Sequence, residues 1–136
     1  MAKPENPAFP DAVLNQSPLF EDVDLYSSDA VLRRAVAREA GAIDEQPLSA
    51  LGRLAGSAEA QTWARLANAF TPVLKTHDSK GRRIDRVEFH LAYHQLMNAS
   101  AAAGVHVLGD GPRPHVLRAA RVYLAIQMEA GHVCPL

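Results

Sequence analysis

The stretch "DSKGRRIDRVEFHLAYHQLM", residues 78–97, begins with the composition of a hairpin and ends with that of a helix. Its turn "DSKG" lies between two short stretches, "VLKTH" at 73–77 and "RRIDRVEF" at 82–89, which indicates a small β-hairpin. The remainder predicts a fourth helix from about His90 to Ala103. The hairpin therefore interrupts a chain whose other ordered segments are predicted to be helical.

Three helices are predicted upstream of the hairpin from their end signals. The first begins at the N-cap Asp29 and ends at Gly41. Pro47 opens the second, and Gly56 ends it. Ser57 caps the third.

The third and fifth helices carry the clearest burial signals. The third has large apolar residues at the spacing of one helix face, which predicts a buried stripe. These residues are Trp63, Leu66, Ala67 and Phe70. The fifth helix, from about Pro114 to Ala130, is apolar on most sides, so we expect it to be the most buried and to end at Gly131.

Residues 1–28 differ from the rest, because they contain four prolines and no helical period. Their large apolar side chains would have no reason to remain in water, so we expect an extended arm that lies on another surface. The predicted organisation is therefore an arm over 1–28 and one helical domain over 29–136. A length of 136 residues suits a single domain.

Composition excludes several classes of protein. Fourteen Lys and Arg balance fifteen Asp and Glu, so no overall field draws the chain to nucleic acid or to an anionic membrane. The most apolar stretch, "VYLAIQM", is too short to span a bilayer. The N-terminus lacks the apolar run of a signal peptide, and the single cysteine, Cys134, cannot form an internal disulfide. We therefore expect a cytoplasmic protein that is not a membrane protein, with Cys134 as a small core residue.

His90 and His94 lie four residues apart and could face one metal ion, but a zinc site needs three or four protein ligands. No third ligand is placed beside them, so we interpret His90 as a helix-start residue and His94 as a partly buried polar contact. No nucleophile has a base partner in the pattern, and the carboxylates are unpaired. The sequence therefore predicts no metal site and no catalytic residue.

Two patterns allow nucleic-acid binding as an alternative. "LSALGRLAGSAEAQTWARLANAF", residues 48–70, has the outline of a helix-turn-helix, although its second helix exposes one cation among four polar residues. These are Glu59, Gln61, Arg65 and Asn68. The hairpin also carries a group of cations, Lys80, Arg82, Arg83 and Arg86, which alternate with Asp78, Asp85 and Glu88. This alternation favours an internally compensated surface, and a free-standing DNA-binding module remains the alternative hypothesis.

Four segments of the chain resemble one family. They are "LNQSPLFEDVDLYSSDAVLRRAVAREAG" (14–41), "LGRLAGSAEAQTWARLAN" (51–68), "DSKGRRIDRVEFHLAYHQLM" (78–97) and "AARVYLAIQMEAGHVCPL" (119–136). They are similar to the N-terminal part of the AidB-type acyl-CoA dehydrogenases, flavin-containing proteins linked to the adaptive response to DNA alkylation. The chain departs from the family at Leu91, where the family usually has proline. The resemblance implies a mainly α fold, an acyl-CoA-dehydrogenase-like N-terminal helical domain with one small hairpin and an extended arm.

The same resemblance implies that the chemistry belongs to other parts of a parent flavoprotein. In the family, a flavin-binding β-domain follows this segment, and a C-terminal bundle holds the catalytic glutamate and the DNA-binding surface. We therefore expect FAD in the parent protein but no cofactor in this chain alone, which should not catalyse a dehydrogenation unaided. The implied partners are the rest of the parent flavoprotein and other copies in a tetramer, with acyl-CoA and DNA bound only through the other domains.

Two groups of residues receive roles by resemblance. The first is a subunit interface on the arm, formed by Leu14, Leu19, Phe20, Leu25 and Tyr26. The second is a wall of the acyl pocket at the end of the fifth helix, formed by Gln127 and Met128. The remaining expected contribution of the domain is packing against the β-domain.

Overall fold

The structure is a computed structural model that describes residues 17–111 and 113–135. Its elements, in chain order, are α1 (Ala30–Ala40), α2 (Gln46–Ala55), α3 (Ala58–Ala69), β1 (Val73–His77), β2 (Arg83–Glu88), α4 (Leu91–Ala102) and α5 (Pro114–Met128). The two strands pair antiparallel between α3 and α4. The predicted fold class, mainly helical with one small hairpin, is confirmed.

The helix ends follow from local chemistry. The Asp29 carboxylate accepts hydrogen bonds from two N–H groups in the first turn of α1, and the helix ends at Gly41 with a φ of 75°. The Ser57 hydroxyl accepts a hydrogen bond from Ala60 N at the start of α3. These caps occupy the predicted positions, and they satisfy N–H groups that would otherwise lack partners.

The helices pack around α5, which contacts α1, α2 and α3, while α3 also packs on α4. Leu96 of α4 and Leu124 of α5 are completely buried in the centre of this core. Val105, in the turn after α4, is buried with them. The described helices therefore form one hydrophobic core, with the hairpin outside it.

The burial predicted for α3 and α5 is only partly correct. On α3, Trp63 packs against the core but stays half-buried, and Phe70 is 57% exposed. On α5 the buried residues lie on one face, whereas Tyr123 and Ile126 are 48% and 46% exposed. The expectation that α5 is the most buried helix is wrong, because within the described residues other helices cover only one face of it.

The end of the predicted arm is part of the helical domain. Val23 N–H donates to the Gly56 carbonyl at 3.3 Å, and Leu25 N–H donates to the Gly52 carbonyl at 3.2 Å. Residues 23–26 therefore cross α2 at two glycines. Gly52 leaves no room for a side chain, because a Cβ there would lie 2.6 Å from Tyr26 N. This close crossing buries Leu25 and Tyr26 in the core of the chain itself.

Asp24 holds the crossing segment in place. Its carboxylate accepts hydrogen bonds from the N–H groups of Tyr26 and Ser27 at 3.0 and 2.9 Å, and from the Ser49 hydroxyl of α2 at 2.6 Å. Burial alone would raise the pKa of Asp24, but these bonds outweigh it, so the pKa lies below its ordinary value of 3.8. The charged carboxylate therefore stabilises the fold.

We expect Asp24→Ala to lower the free energy of unfolding by about 2 kcal/mol at neutral pH, because the donors on Tyr26, Ser27 and Ser49 lose a common acceptor. A carboxyl whose pKa is depressed by folding contributes stability above its unfolded pKa and loses it as the pH falls through the folded pKa. The difference between wild type and variant should therefore shrink below about pH 4. Urea titrations at several pH values measure this difference. The exposed Asp110→Ala serves as the control, and an equal loss in both variants would contradict the role of Asp24.

Candidate functional site

The histidine pair is used for helix capping and ring contacts. His90 is the N-cap of α4, where its Nδ1 accepts a hydrogen bond from Ala92 N at 3.1 Å, and its ring stacks on Phe70. His94 is exposed and contacts Phe89 edge to face. The expectation that His94 is partly buried is wrong, because the buried line of α4 passes through Ala92 and leaves His94 outside it. No group of three metal-binding side chains occurs in the residues that the structure describes.

The hairpin cations are mostly paired with neighbouring carboxylates. Arg82 Nε lies 2.8 Å from Asp78, and Arg83 Nε lies 2.7 Å from Asp85. The Arg82 backbone N–H and its guanidinium both bond to Asp78 and lower the pKa of that carboxyl. The hairpin surface is therefore largely compensated, as its alternating charges predict.

The helix pair α2–α3 was considered as a helix-turn-helix. Three of the polar side chains of α3 form hydrogen bonds within this helix pair. The Gln61 amide donates to the Ala55 carbonyl, and the Asn68 amide donates to the Ala64 carbonyl. Arg65 donates to Thr62 on the same helix. The α3 helix also packs on α4, and no observation favours the alternative of a DNA-binding module.

The residues expected at a subunit interface fall into three groups. Leu14 lies outside the described residues. Leu19 and Phe20 are 79% and 74% exposed, so they are available to a neighbouring surface. Leu25 and Tyr26 are 8% and 1% exposed, so their side chains are occupied by the core of this chain.

The residues expected in a pocket wall also differ in exposure. Met128 is 3% exposed and belongs to the core, whereas Gln127 is exposed and its amide donates to the Tyr123 carbonyl at 3.4 Å. Neither residue lines either of the two grooves described in the next paragraph. The assignment of both residues to an acyl pocket stays a prediction about the whole protein.

Two of the open grooves on the described surface are lined in part by α5. One, of about 500 Å³, lies between α1 and α5 and is almost entirely apolar; its lining includes Leu32, Val36, Val116 and Tyr123. The other, of about 660 Å³, lies beside α2 and the end of α4, with Arg121 at its edge. Neither contains a cluster of convergent polar groups, so both are suited to apolar contact rather than to chemistry.

A buried polar cluster lies at the end of α5, and no local pattern of residues predicts it. Ser100 Oγ of α4 lies 2.7 Å from His132 Nε2, and both side chains are completely buried. His132 Nδ1 lies 3.5 Å from Glu129 Oε2, too poorly aligned to count as a hydrogen bond. Since 32 residues separate Ser100 from His132, no motif in the sequence links them.

Glu129 closes the turn that carries His132. Its carboxylate accepts hydrogen bonds from the N–H groups of Gly131 and His132 at 2.8 and 2.7 Å. Burial alone would raise the pKa of Glu129, but the two backbone donors and the nearby His132 ring outweigh it, so the pKa is lowered. The carboxylate therefore remains charged at neutral pH and holds the turn.

Serine, histidine and glutamate in this order resemble a catalytic triad, but the chemistry requires a substrate to reach the hydroxyl. Ser100 lies within α4, has no exposed surface and lines neither groove. The cluster is therefore an anchor that fastens the turn after α5 to α4.

Cys134 is exposed, so the expectation that it is a core residue is wrong. The preceding residues His132 and Val133 fill the buried positions of this turn, which directs the Cys134 side chain outward. Its Sγ lies 3.9 Å from the Ala130 carbonyl.

Comparisons with known proteins agree with this architecture. Residues 15–136 match the family described as the adaptive response protein AidB N-terminal domain. The chain is 41% identical over 128 residues to Escherichia coli (strain K12) AidB, an acyl-CoA dehydrogenase by name, and the match covers 91% of this chain and 24% of that protein.

Two solved structures share the fold. The apo form of Bd2924 has a TM-score of 0.65 and 25% identity, over 77% of this chain and 22% of that one. Caenorhabditis elegans ACDH-11, solved in complex with C11-CoA, has a TM-score of 0.60 and 20% identity, over 91% of this chain and 21% of that one.

The helical architecture and these likenesses place the chain in the acyl-CoA dehydrogenase superfamily. More particularly, the chain belongs to the AidB N-terminal domain family, which confirms the resemblance seen in the sequence. It spans about a quarter of the length of the E. coli relative, 24%. No helix in the described ranges is both long and apolar enough to cross a bilayer.

Proposed function

We propose that this chain is the N-terminal helical domain of a cytoplasmic, FAD-dependent, acyl-CoA-dehydrogenase-like flavoprotein of the response to DNA alkylation. The observation that carries the proposal is 41% identity to AidB, spread over 91% of this chain. The domain packs against the rest of the protein, forms part of the acyl-pocket wall and supports oligomer assembly. FAD, the catalytic base and the DNA-binding surface belong to the other domains.

The described surface supports a role in packing. Large apolar side chains are exposed on α5 and on the hairpin, including Tyr123, Ile126 and Leu74. Apolar surface of this kind, grouped on particular elements, is typical of protein that meets another surface. The apolar α1–α5 groove has the same character.

The roles of single residues are narrower proposals. Leu19 and Phe20 are exposed large apolar residues in the described part of the arm, so we assign the proposed subunit contact to them together with Leu14. Gln127 is the exposed member of the proposed pocket wall, and the core residue Met128 would support it from behind.

The test compares this 136-residue chain with the protein at its natural length. We expect the natural protein to purify with flavin absorbance that bleaches when a suitable acyl-CoA is added, and the 136-residue chain to purify without flavin. Light scattering should show a tetramer for the natural protein. A natural protein without flavin, or a flavin-loaded 136-residue chain, would overturn the proposed division of labour.

A further inference from the structure

The hairpin receives little support from the rest of the described chain. Every residue of β1 and β2 is exposed, and no helix among the described residues makes an extensive contact with them. An isolated two-stranded hairpin is marginally stable in water, and it gains stability when one of its faces packs on another surface. The two strands therefore need a contact that these residues do not supply.

A β-bulge gives this hairpin one apolar face. Leu74 pairs with Val87, but after the next pair the register shifts by one residue, so that His77 pairs with Arg83. Two residues of β2 thus oppose one residue of β1, which defines a bulge. Asp85, with a φ of 43°, is one of these two residues.

The bulge changes which side chains share a face. Ile84 and Val87 are three residues apart, so in a regular strand they would point to opposite faces. The extra residue brings Ile84 to the face of Val87 and its partner Leu74. The three side chains are 45%, 47% and 58% exposed, and we call this surface the apolar face of the hairpin.

The opposite face is mainly charged. The pairs Lys75–Arg86 and Val73–Glu88 lie there, and Lys75 Nζ is 3.9 Å from Glu88 Oε2. The bulge therefore separates apolar from charged residues in a strand whose sequence does not alternate regularly. This separation is useful only if the apolar face is covered.

A second copy of the chain is poorly suited to cover the hairpin by adding a strand. Bulges and charged residues such as Lys75 and Arg86 are features that protect strand edges from pairing with other chains. By contrast, the matched region is only 24% of E. coli AidB, so most of that relative lies outside it. A protein with that much additional chain has ample surface to cover a hairpin of this size.

We infer that the apolar face, Leu74, Ile84 and Val87, docks on the part of the parent flavoprotein that lies outside this chain. This inference rests on the proposed function, because it requires a parent protein. The docking surface should therefore present apolar side chains to these three residues.

The test uses the protein at its natural length and follows backbone hydrogen exchange over residues 73–88. The variant Ile84→Thr/Val87→Thr removes apolar surface while keeping residues that favour strands. The matched control, Lys75→Thr/Arg86→Thr, makes the same number of substitutions on the charged face. Amides of α5 report whether the helical core remains folded.

We expect the hairpin amides to be protected in the wild type and to exchange about tenfold faster in the apolar variant, with α5 unchanged. The control variant should keep its protection. Unprotected wild-type hairpin amides, or equal effects of the two variants, would overturn the inference. A fall in oligomeric mass that accompanies the lost protection would assign the face to a second copy instead. Flavin absorbance, measured on the same samples, tests the proposed function separately.

Discussion

Replacement of Gly56 by alanine should destabilise this domain by about 3 kcal/mol or more, because the new Cβ would overlap the Val23 carbonyl oxygen. The clash involves backbone, which cannot move aside as a flexible side chain could. Separation of the two segments would also break the hydrogen bond from Val23 N–H to the Gly56 carbonyl. Urea denaturation followed by circular dichroism measures the loss.

Gly111→Ala is the matched control, since a Cβ at Gly111 meets nothing within 4 Å. Its effect should stay within about 0.5 kcal/mol. Gly52→Ala should behave like the Gly56 variant, because its Cβ would lie 2.6 Å from Asp24 Oδ1 and from Tyr26 N. Equal stability of the Gly56 and Gly111 variants would mean that residues 23–26 do not cross α2.

His132→Ala should lower the free energy of unfolding by about 3 kcal/mol, because it leaves a cavity and deprives the buried Ser100 hydroxyl of its partner. Ser100→Ala should cost less, about 1.5 kcal/mol, since it leaves no cavity of comparable size and deprives only His132 Nε2 of its partner. Because the two residues share one hydrogen bond, the double variant should lose less than the sum of the single losses.

Denaturant titration of the two single variants and the double variant measures this coupling. His106→Ala is the control, since His106 is exposed on the turn that follows α4. Strictly additive losses for Ser100 and His132 would show that the 2.7 Å contact contributes nothing to stability.

The sequence predicted the elements whose signals are local. Asp29 and Ser57 begin their helices and Gly41 ends one, and each does so through contacts with residues a few positions away in the chain. These helix boundaries could therefore be predicted without tertiary structure. The hairpin was predicted in the same way from its turn. Its bulge was not predicted, because the register depends on pairing across two strands.

The features that the sequence did not predict depend on distant partners. Gly56 was predicted only as the end of a helix. Its second role is to leave room for the close approach of the Val23 backbone, which lies 33 positions away in the chain. His132 could not be linked to Ser100 for the same reason. The burial of α5 was overestimated from its apolar composition. Apolar residues on a helix face indicate that the face packs on another surface, but they do not show that this surface belongs to the same chain. The roles given to Gln127 and Leu19 remain predictions, since both depend on surfaces outside the described residues.

The anchored turn after α5 makes Cys134 a convenient labelling position. It is the sole cysteine of the chain and its side chain is exposed, so a maleimide dye would attach at one place without any engineered substitution. Because His132 is fastened to α4 two residues earlier, the dye would be carried by a rigid body rather than by a loose tail. Distances measured from it by energy transfer would then report the orientation of the whole domain.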